Sequence, residues 1–328
     1  MILAGDIGGT NSRLAGFEIE HGRLSLVHER VYPSRDFPNL ESAVAKFLEE
    51  FRVRPTAAAF GIAGPVTYGR AEMPNLRWIV EASSLARTIG IDTVGLLNDL
   101  QANAFGIAAL GASDFAVLNA GRAESIGNAA VIAAGTGLGE AGLYWDGKQH
   151  HPFACEGGHA DFGPIDELQT ELLIYLRREF GHVSWERAIA GPGIFNIYRF
   201  LRDTHRAEEP AWLKTELEHG DASAHISGLA LEGKSPICVQ ALDIYSSMYG
   251  AEAGNLALKL MATGGVFVGG GIAPKILPKL VEGGFVAAFV RKGRLEHMMR
   301  EIPVRVILND GTALLGAARA AALRASLL

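Results

Sequence analysis

Cysteine is scarce in this chain. Cys155 and Cys238 are the only two in 328 residues. They are too few and too far apart for a disulfide framework or a zinc cluster, so a reducing compartment and a cytoplasmic location are expected. No uncharged apolar run reaches the length needed to cross a bilayer. Asp6 interrupts the opening segment where a signal peptide needs an unbroken apolar core. A positive excess is also missing: 36 acidic residues against 30 Lys and Arg give a net charge of −6, which argues against a nucleic-acid surface. It does not argue against a phosphate ligand, because backbone N–H groups and Mg²⁺ can supply a local positive field. What is plentiful is glycine, with 40 residues gathered at turns. An apolar content of 48% and a charged content of 20% are those of an ordinary globule. The length accommodates two domains, each with its own core.

The chain is organised around Gly5-Asp6-Ile7-Gly8-Gly9-Thr10-Asn11. Apolar strand-like runs lie on both sides, so the segment reads as a β-hairpin. Its glycines permit φ > 0 and close approach of a ligand, which lets turn N–H groups point at an anion. Asp6 stands where the first strand meets that turn. A carboxylate beside a phosphate needs a cation between them, which suggests Mg²⁺ bridging Asp6 to a nucleotide through water.

Further strands are expected over residues 13–19, 24–31, 57–63 and 93–97. Asn39 caps a helix with apolar residues at Leu40, Val44, Phe47 and Leu48. Residues 73–78 read as a loop with Trp78 exposed, and Ser83 or Ser84 caps a short helix. The pattern then restarts: residues 129–134 form a strand, Gly135-Thr136-Gly137-Leu138-Gly139 a glycine turn, and residues 141–145 a strand. Strand, glycine turn, strand thus occurs once in each half, as in a duplicated fold with two hairpins facing a cleft. The stretch 165–262 is mostly helical. Residues 264–271 form a strand closing in glycines, Pro274 opens a helix, and residues 304–308 form a last strand before an Ala-rich helix. The alternation describes an α/β protein with mixed sheets.

Two motif matches fail on context. Residues 228–235 fit G-x-x-x-x-G-K-S, but no strand precedes them, Glu232 would put a negative charge in the cradle, and Pro236 follows. Gly137-x-Gly139-x-x-Gly142 follows a strand, but it runs into another strand instead of a helix. Asn98-Asp99 is the best catalytic pair. It lies at a strand's carboxyl end, where functional groups of α/β sheets gather. An ionised Asp there can accept a proton from an alcohol; the plainer reading makes Asp99 a helix cap. Glu156-Gly157-Gly158-His159 joins a carboxylate and an imidazole through two glycines, a combination suited to sugar hydroxyls. Glu186, taken alone, is an ordinary surface residue.

Assembled in this order, the segments resemble the bacterial glucokinase family of the hexokinase–actin–Hsp70 ATPase superfamily, over nearly the whole chain. The resemblance implies an α/β, two-domain actin-like ATPase (ribonuclease H-like) fold with an interdomain cleft: a small domain of residues 1–110 with 303–328, and a large domain of residues 111–302 with helical insertions. It implies ATP-dependent phosphorylation of glucose. Asp99 corresponds to the base; Asn98, Asp99, Glu156, His159 and Glu186 correspond to the sugar contacts, with Gly191-Pro192-Gly193 also near the sugar. Asp6, Gly8, Gly9, Thr10, Asn11, Gly135, Thr136, Gly137, Gly270 and Gly271 correspond to the nucleotide site. ATP and Mg²⁺ are the expected cofactors, and a homodimer with neither nucleic-acid nor membrane partners is expected. His159 is followed by Ala160-Asp161-Phe162 without the cysteines of repressor-type relatives, so zinc is not expected. Asp310-Gly311-Thr312-Ala313 lacks a proline present in close relatives. The alternatives are a kinase for fructose, mannose or an N-acetylhexosamine, and a non-catalytic sugar-sensing regulator.

Overall fold

The computed structural model describes residues 1–328. The chain divides into two compact units: residues 1–112 with 151–154 and 309–328, and residues 113–150 with 155–308. No helix is long and apolar enough to cross a membrane.

The first unit contains strands β1 (Ile2–Ile7), β2 (Asn11–Glu20), β3 (Arg23–Pro33), β4 (Ala57–Ile62), β5 (Val66–Thr67), β6 (Arg70–Met73), β7 (Trp78–Glu81) and β8 (Val94–Asn98). The main sheet runs β3-β2-β1-β4-β8. β1 is antiparallel to β2 and parallel to β4, which is parallel to β8. The two-residue period of a strand sorts its side chains. Leu3, Ile7, Leu14 and Phe60 join a core with Leu40, Val44 and Phe47 of the helix Leu40–Phe51. Ile2, Ala4, Ala15 and Ala59 join a core with Leu314, Ala317, Ala318 and Ala321 of the helix Thr312–Arg324. That last helix meets the helix Asp99–Ile107 at glycine contacts: a Cβ on Gly316 would lie 1.7 Å from Ala102 O.

Asn39 caps its helix as expected, accepting from Ser42 N–H at 2.9 Å. Trp78 is not exposed: it begins β7 and is buried in the first core beside Met73 and Val80. The tight turn is made instead by Arg77, at φ 56°. Neither Ser83 nor Ser84 caps the helix Ala82–Ile89, whose flanking residue is Glu81.

A second main sheet has β9 (Phe115–Asn119), β10 (Ala129–Ala134), β11 (Leu138–Trp145), β12 (His150–Cys155), β13 (Gly265–Gly269) and β14 (Val304–Ile307) in the order β12-β11-β10-β13-β14-β9, and all of it except residues 151–154 of β12 belongs to the second unit. β10 is antiparallel to β11 and parallel to β13, the arrangement of β1 with β2 and β4. β10 and β13 are buried along their length, as inner strands of a covered sheet must be. The helix Pro236–Leu260 runs through this core. β14 pairs with β13 and β9, and residues 309–328 belong to the first unit. The helix after β13 is Leu277–Val281, with Pro278 in its first turn, and Pro274 lies in the preceding turn.

Candidate active site

In the first unit, parallel registry aligns three strand ends. Ile62 pairs with Ile7 on one side and with Asn98 on the other. Asp6 and Asn98-Asp99 therefore share the carboxyl edge of one sheet. Asp6 lies opposite Arg13 in the hairpin. Burial pushes the Asp6 carboxyl above the usual carboxylate range, and the Arg13 charge opposes that rise. Arg13 also pairs with Glu29 and stands 3.9 Å from Asp310. A cavity of about 550 Å³ is lined by Asp6, Gly8, Gly9, Thr10, Asn11 and Arg13, which brings the expected first phosphate hairpin together.

No group of three His, Cys, Asp or Glu side chains gathers anywhere to hold a metal. A cation at Asp6 would take one hard carboxylate from the protein and complete its shell with water and phosphate oxygens. Mg²⁺ accepts that donor set readily.

The hairpin glycines are needed for a reason other than φ. Gly8, Gly9, Gly135 and Gly137 all lack positive φ. Instead, a Cβ at Gly9, Gly135 or Gly271 would point into space with no atom within 4 Å. The N–H groups of Gly8 and Gly135 close their own turns onto Asn11 O at 2.9 Å and Gly137 O at 2.8 Å.

The helix that begins at Asp99 is capped by Asn98, whose Oδ1 accepts from Leu100 N–H at 2.8 Å and Gln101 N–H at 3.3 Å. Its Nδ2 donates to Gly64 O at 3.3 Å, leaving one N–H for a ligand. The capping role thus falls to Asn98, and Asp99 occupies the first helical position, where the helix dipole favours an anion. Asp99 Oδ1 accepts from Leu100 N–H at 2.9 Å.

In the second unit, the ends of β10 and β13 are tied by Tyr249. Its buried hydroxyl accepts from Ala134 N–H at 3.1 Å and lies 3.4 Å from Ile132 O and Gly269 O. Beyond this tie the chain turns at Gly135 and at Gly270. Gly270 has φ 81°, and a Cβ there would meet Ala134 O at 2.3 Å. A cavity of about 770 Å³ opens beside these turns, lined by Gly135, Thr136, Gly191, Pro192, Gly271 and Lys275. Gly270 and Gly137 do not line it, and a Cβ on Gly137 would fall 2.7 Å from Glu186 Oε2. Gly191 and Pro192 line this cavity, and Gly191 N–H donates to Gly135 O at 2.7 Å. The Ala222–Leu231 helix, capped by Asp221, also contributes lining residues. Gly228 of the rejected P-loop match lies within that helix. No sequence signal marked Asp221 or Lys275.

The three remaining expected sugar residues come together. His159 Nε2 is 3.9 Å from Glu156 Oε2, and His159 Nδ1 is 4.0 Å from Glu186 Oε1. Glu186 Oε2 accepts from Leu138 N–H at 3.1 Å.

Comparison with known proteins gives these features a family. The glucokinase family profile matches residues 3–324. A glucokinase of Nostoc sp. is 41% identical over 98% of this chain and 99% of its own length. The crystal structure of a glucokinase from an Antarctic psychrotroph is 33% identical, covers 98% of each chain and superposes with a TM-score of 0.85. A ROK family glucokinase from Streptomyces griseus, crystallised with glucose and AMPPNP, is 22% identical with a TM-score of 0.64 over 98% of this chain and 99% of its own, and shares the fold alone. The chain belongs to the glucokinase family and has its two-domain α/β sugar-kinase fold.

Proposed function

We propose that this chain transfers the γ-phosphoryl group of ATP to the 6-hydroxyl of glucose, giving glucose 6-phosphate and ADP. The observation that carries the reading is Asp99 at the carboxyl edge of the sheet, on the first turn of a helix, in a chain of the glucokinase family. Phosphoryl transfer needs a positioned base to accept the hydroxyl proton as the oxygen attacks phosphorus. Asp99 takes that proton. Asn98 offers its remaining N–H to the sugar, Glu156 and Glu186 accept from hydroxyls, and His159 donates or accepts.

ATP places its adenosine in the 770 Å³ cavity. Its phosphates lie against the bare hairpins, through N–H groups that do not close the turns themselves. Asp6 would hold Mg²⁺, and the ion would supply positive charge against the phosphate oxygens. A cytoplasmic location and a homodimer complete the proposal, and sedimentation equilibrium checks the second.

The test is ADP release with a panel of hexoses, against ATP alone as blank. Glucose should show the highest kcat/KM. A lead for fructose, mannose or an N-acetylhexosamine would reassign the substrate, and no hexose-dependent release at all would favour a sensor.

A further inference from the structure

We propose that Glu140 is the positioning residue of the hexose turn: its carboxyl fills the space beneath Gly157 and thereby holds Glu156 and His159 for the sugar. The proposal rests on the glucokinase reading above.

Glu140 lies in β11 and is 1% exposed. A Cβ on Gly157 would fall 1.9 Å from Glu140 Oε2, and one on Gly158 would fall 2.1 Å from Leu138 O. β11 therefore backs directly onto the turn, which is closed by His159 N–H to Glu156 O at 3.1 Å and Ala160 N–H to Gly157 O at 2.9 Å. Glu140 Oε1 is buried and has no hydrogen-bond partner. A buried acid with an idle oxygen is a poor core residue, since an apolar side chain of similar volume avoids the desolvation. Its position under the turn gives it a purpose that burial alone does not.

Glu252 acts on Glu140 directly, by its charge and by a side-chain hydrogen bond, and Lys259 opposes it by charge; the other contacts of these groups lie elsewhere. Glu252 is fully buried and accepts from Asn255 Nδ2 at 2.7 Å and Lys259 Nζ at 3.3 Å. Lys292 Nζ donates to Ala251 O at 2.8 Å and Asn255 Oδ1 at 2.6 Å. The Tyr249 hydroxyl is engaged at Ala134, and the Cys155 thiol is pushed up chiefly by burial. Burial first, and the Glu252 charge second, raise the Glu140 carboxyl to about 8. At neutrality the Glu140–Glu252 pair therefore keeps a proton, and Glu140 fits beneath Gly157 without a second buried negative charge. Above that range its ionisation disturbs the turn.

The experiment measures KM for glucose, KM for ATP, kcat and melting for Gly157→Ala, Glu140→Ala, the double variant and Glu140→Gln. Gly157→Ala pushes the turn off its seat and should raise KM for glucose about tenfold while KM for ATP moves less than about twofold. Glu140→Ala alone loosens the turn and shifts glucose KM the same way. In the double variant the added methyl occupies the vacated space, so much of the glucose KM should return. In the wild type KM for glucose should climb from about pH 7 to about pH 9; in the neutral isostere Glu140→Gln, which keeps the fold, it should stay level. A folded Gly157→Ala with unchanged glucose KM, a double variant no better than Gly157→Ala, or a Glu140→Gln profile that climbs with the wild type would each overturn the proposal while leaving glucose phosphorylation intact. A wild type that turns over no glucose would overturn the functional reading itself, and this one with it.

Discussion

The Glu186 carboxylate accepts a hydrogen bond from the backbone N–H of Leu138 at 3.1 Å. One carboxylate thus anchors the turn that begins at Gly135, while its other oxygen faces His159 at 4.0 Å. If the turn serves phosphate and His159 serves sugar, Glu186 serves both. Glu186→Ala should therefore raise KM for ATP as well as for glucose, by roughly two- to tenfold each for one lost hydrogen bond. Glu186→Gln keeps an acceptor for Leu138 and should affect glucose more. A Glu186→Ala enzyme with normal ATP kinetics would separate the two roles.

Two glycines of the nucleotide region should behave oppositely. Gly135 has nothing within 4 Å of a Cβ, so Gly135→Val should melt close to the wild type yet bind ATP poorly. Gly270→Ala must adopt φ 81° with a methyl 2.3 Å from Ala134 O, and should lose stability. Thermal melting paired with KM for ATP distinguishes them; a Gly135→Val variant with wild-type ATP affinity would remove that turn from the phosphate site.

Tyr249→Phe deletes the hydroxyl that accepts from Ala134 N–H. The buried N–H is left unpaired, at about 1–3 kcal/mol of stability, measurable by urea unfolding. Loss below about 0.5 kcal/mol would mean that the strand ends hold without it.

Glu140 gives stability a pH dependence. Its carboxyl rises to about 8 when folded, through burial first and the Glu252 charge second, whereas in the unfolded chain it titrates in the ordinary range. Between those values the unfolded state has released a proton that the folded state keeps. Stability from this group is therefore complete at low pH and declines as pH rises through the window. Glu140→Gln lacks the share of the decline that Glu140 contributes, beside that of the likewise raised Glu252, so its melting temperature should gain on the wild type between about pH 5 and about pH 8. Parallel curves for the two proteins would show that Glu140 does not titrate in this way.

Features that depend on neighbouring residues in sequence were legible before the structure. Both glycine hairpins, the Asn39 cap and the Ala-rich terminal helix follow from local turn chemistry and periodicity. Features that depend on distant partners were not. β9 is a short strand whose pairing partner, β14, lies far along the chain. Trp78 looks like a loop aromatic until β6 and β7 fold it into the core. The glycines of the hairpins were expected both for φ > 0 and for close approach of a ligand; Gly8, Gly9, Gly135 and Gly137 lack positive φ, while the open space around Gly9 and Gly135 agrees with close approach. Asn98 and Asp99 exchanged the capping role because the cap depends on where the helix starts within one residue. Glu186 carries no local pattern; only the family resemblance singled it out, and the fold brings it to His159.

Asp99→Asn tests the central claim most directly. The amide is isosteric and can still hydrogen-bond to glucose, but it cannot accept the proton of the 6-hydroxyl. Glucose binding by calorimetry should be near that of the wild type, while kcat falls by about 10²–10⁴. A purified variant that binds glucose and retains half of the wild-type kcat would contradict the assignment of Asp99 as base.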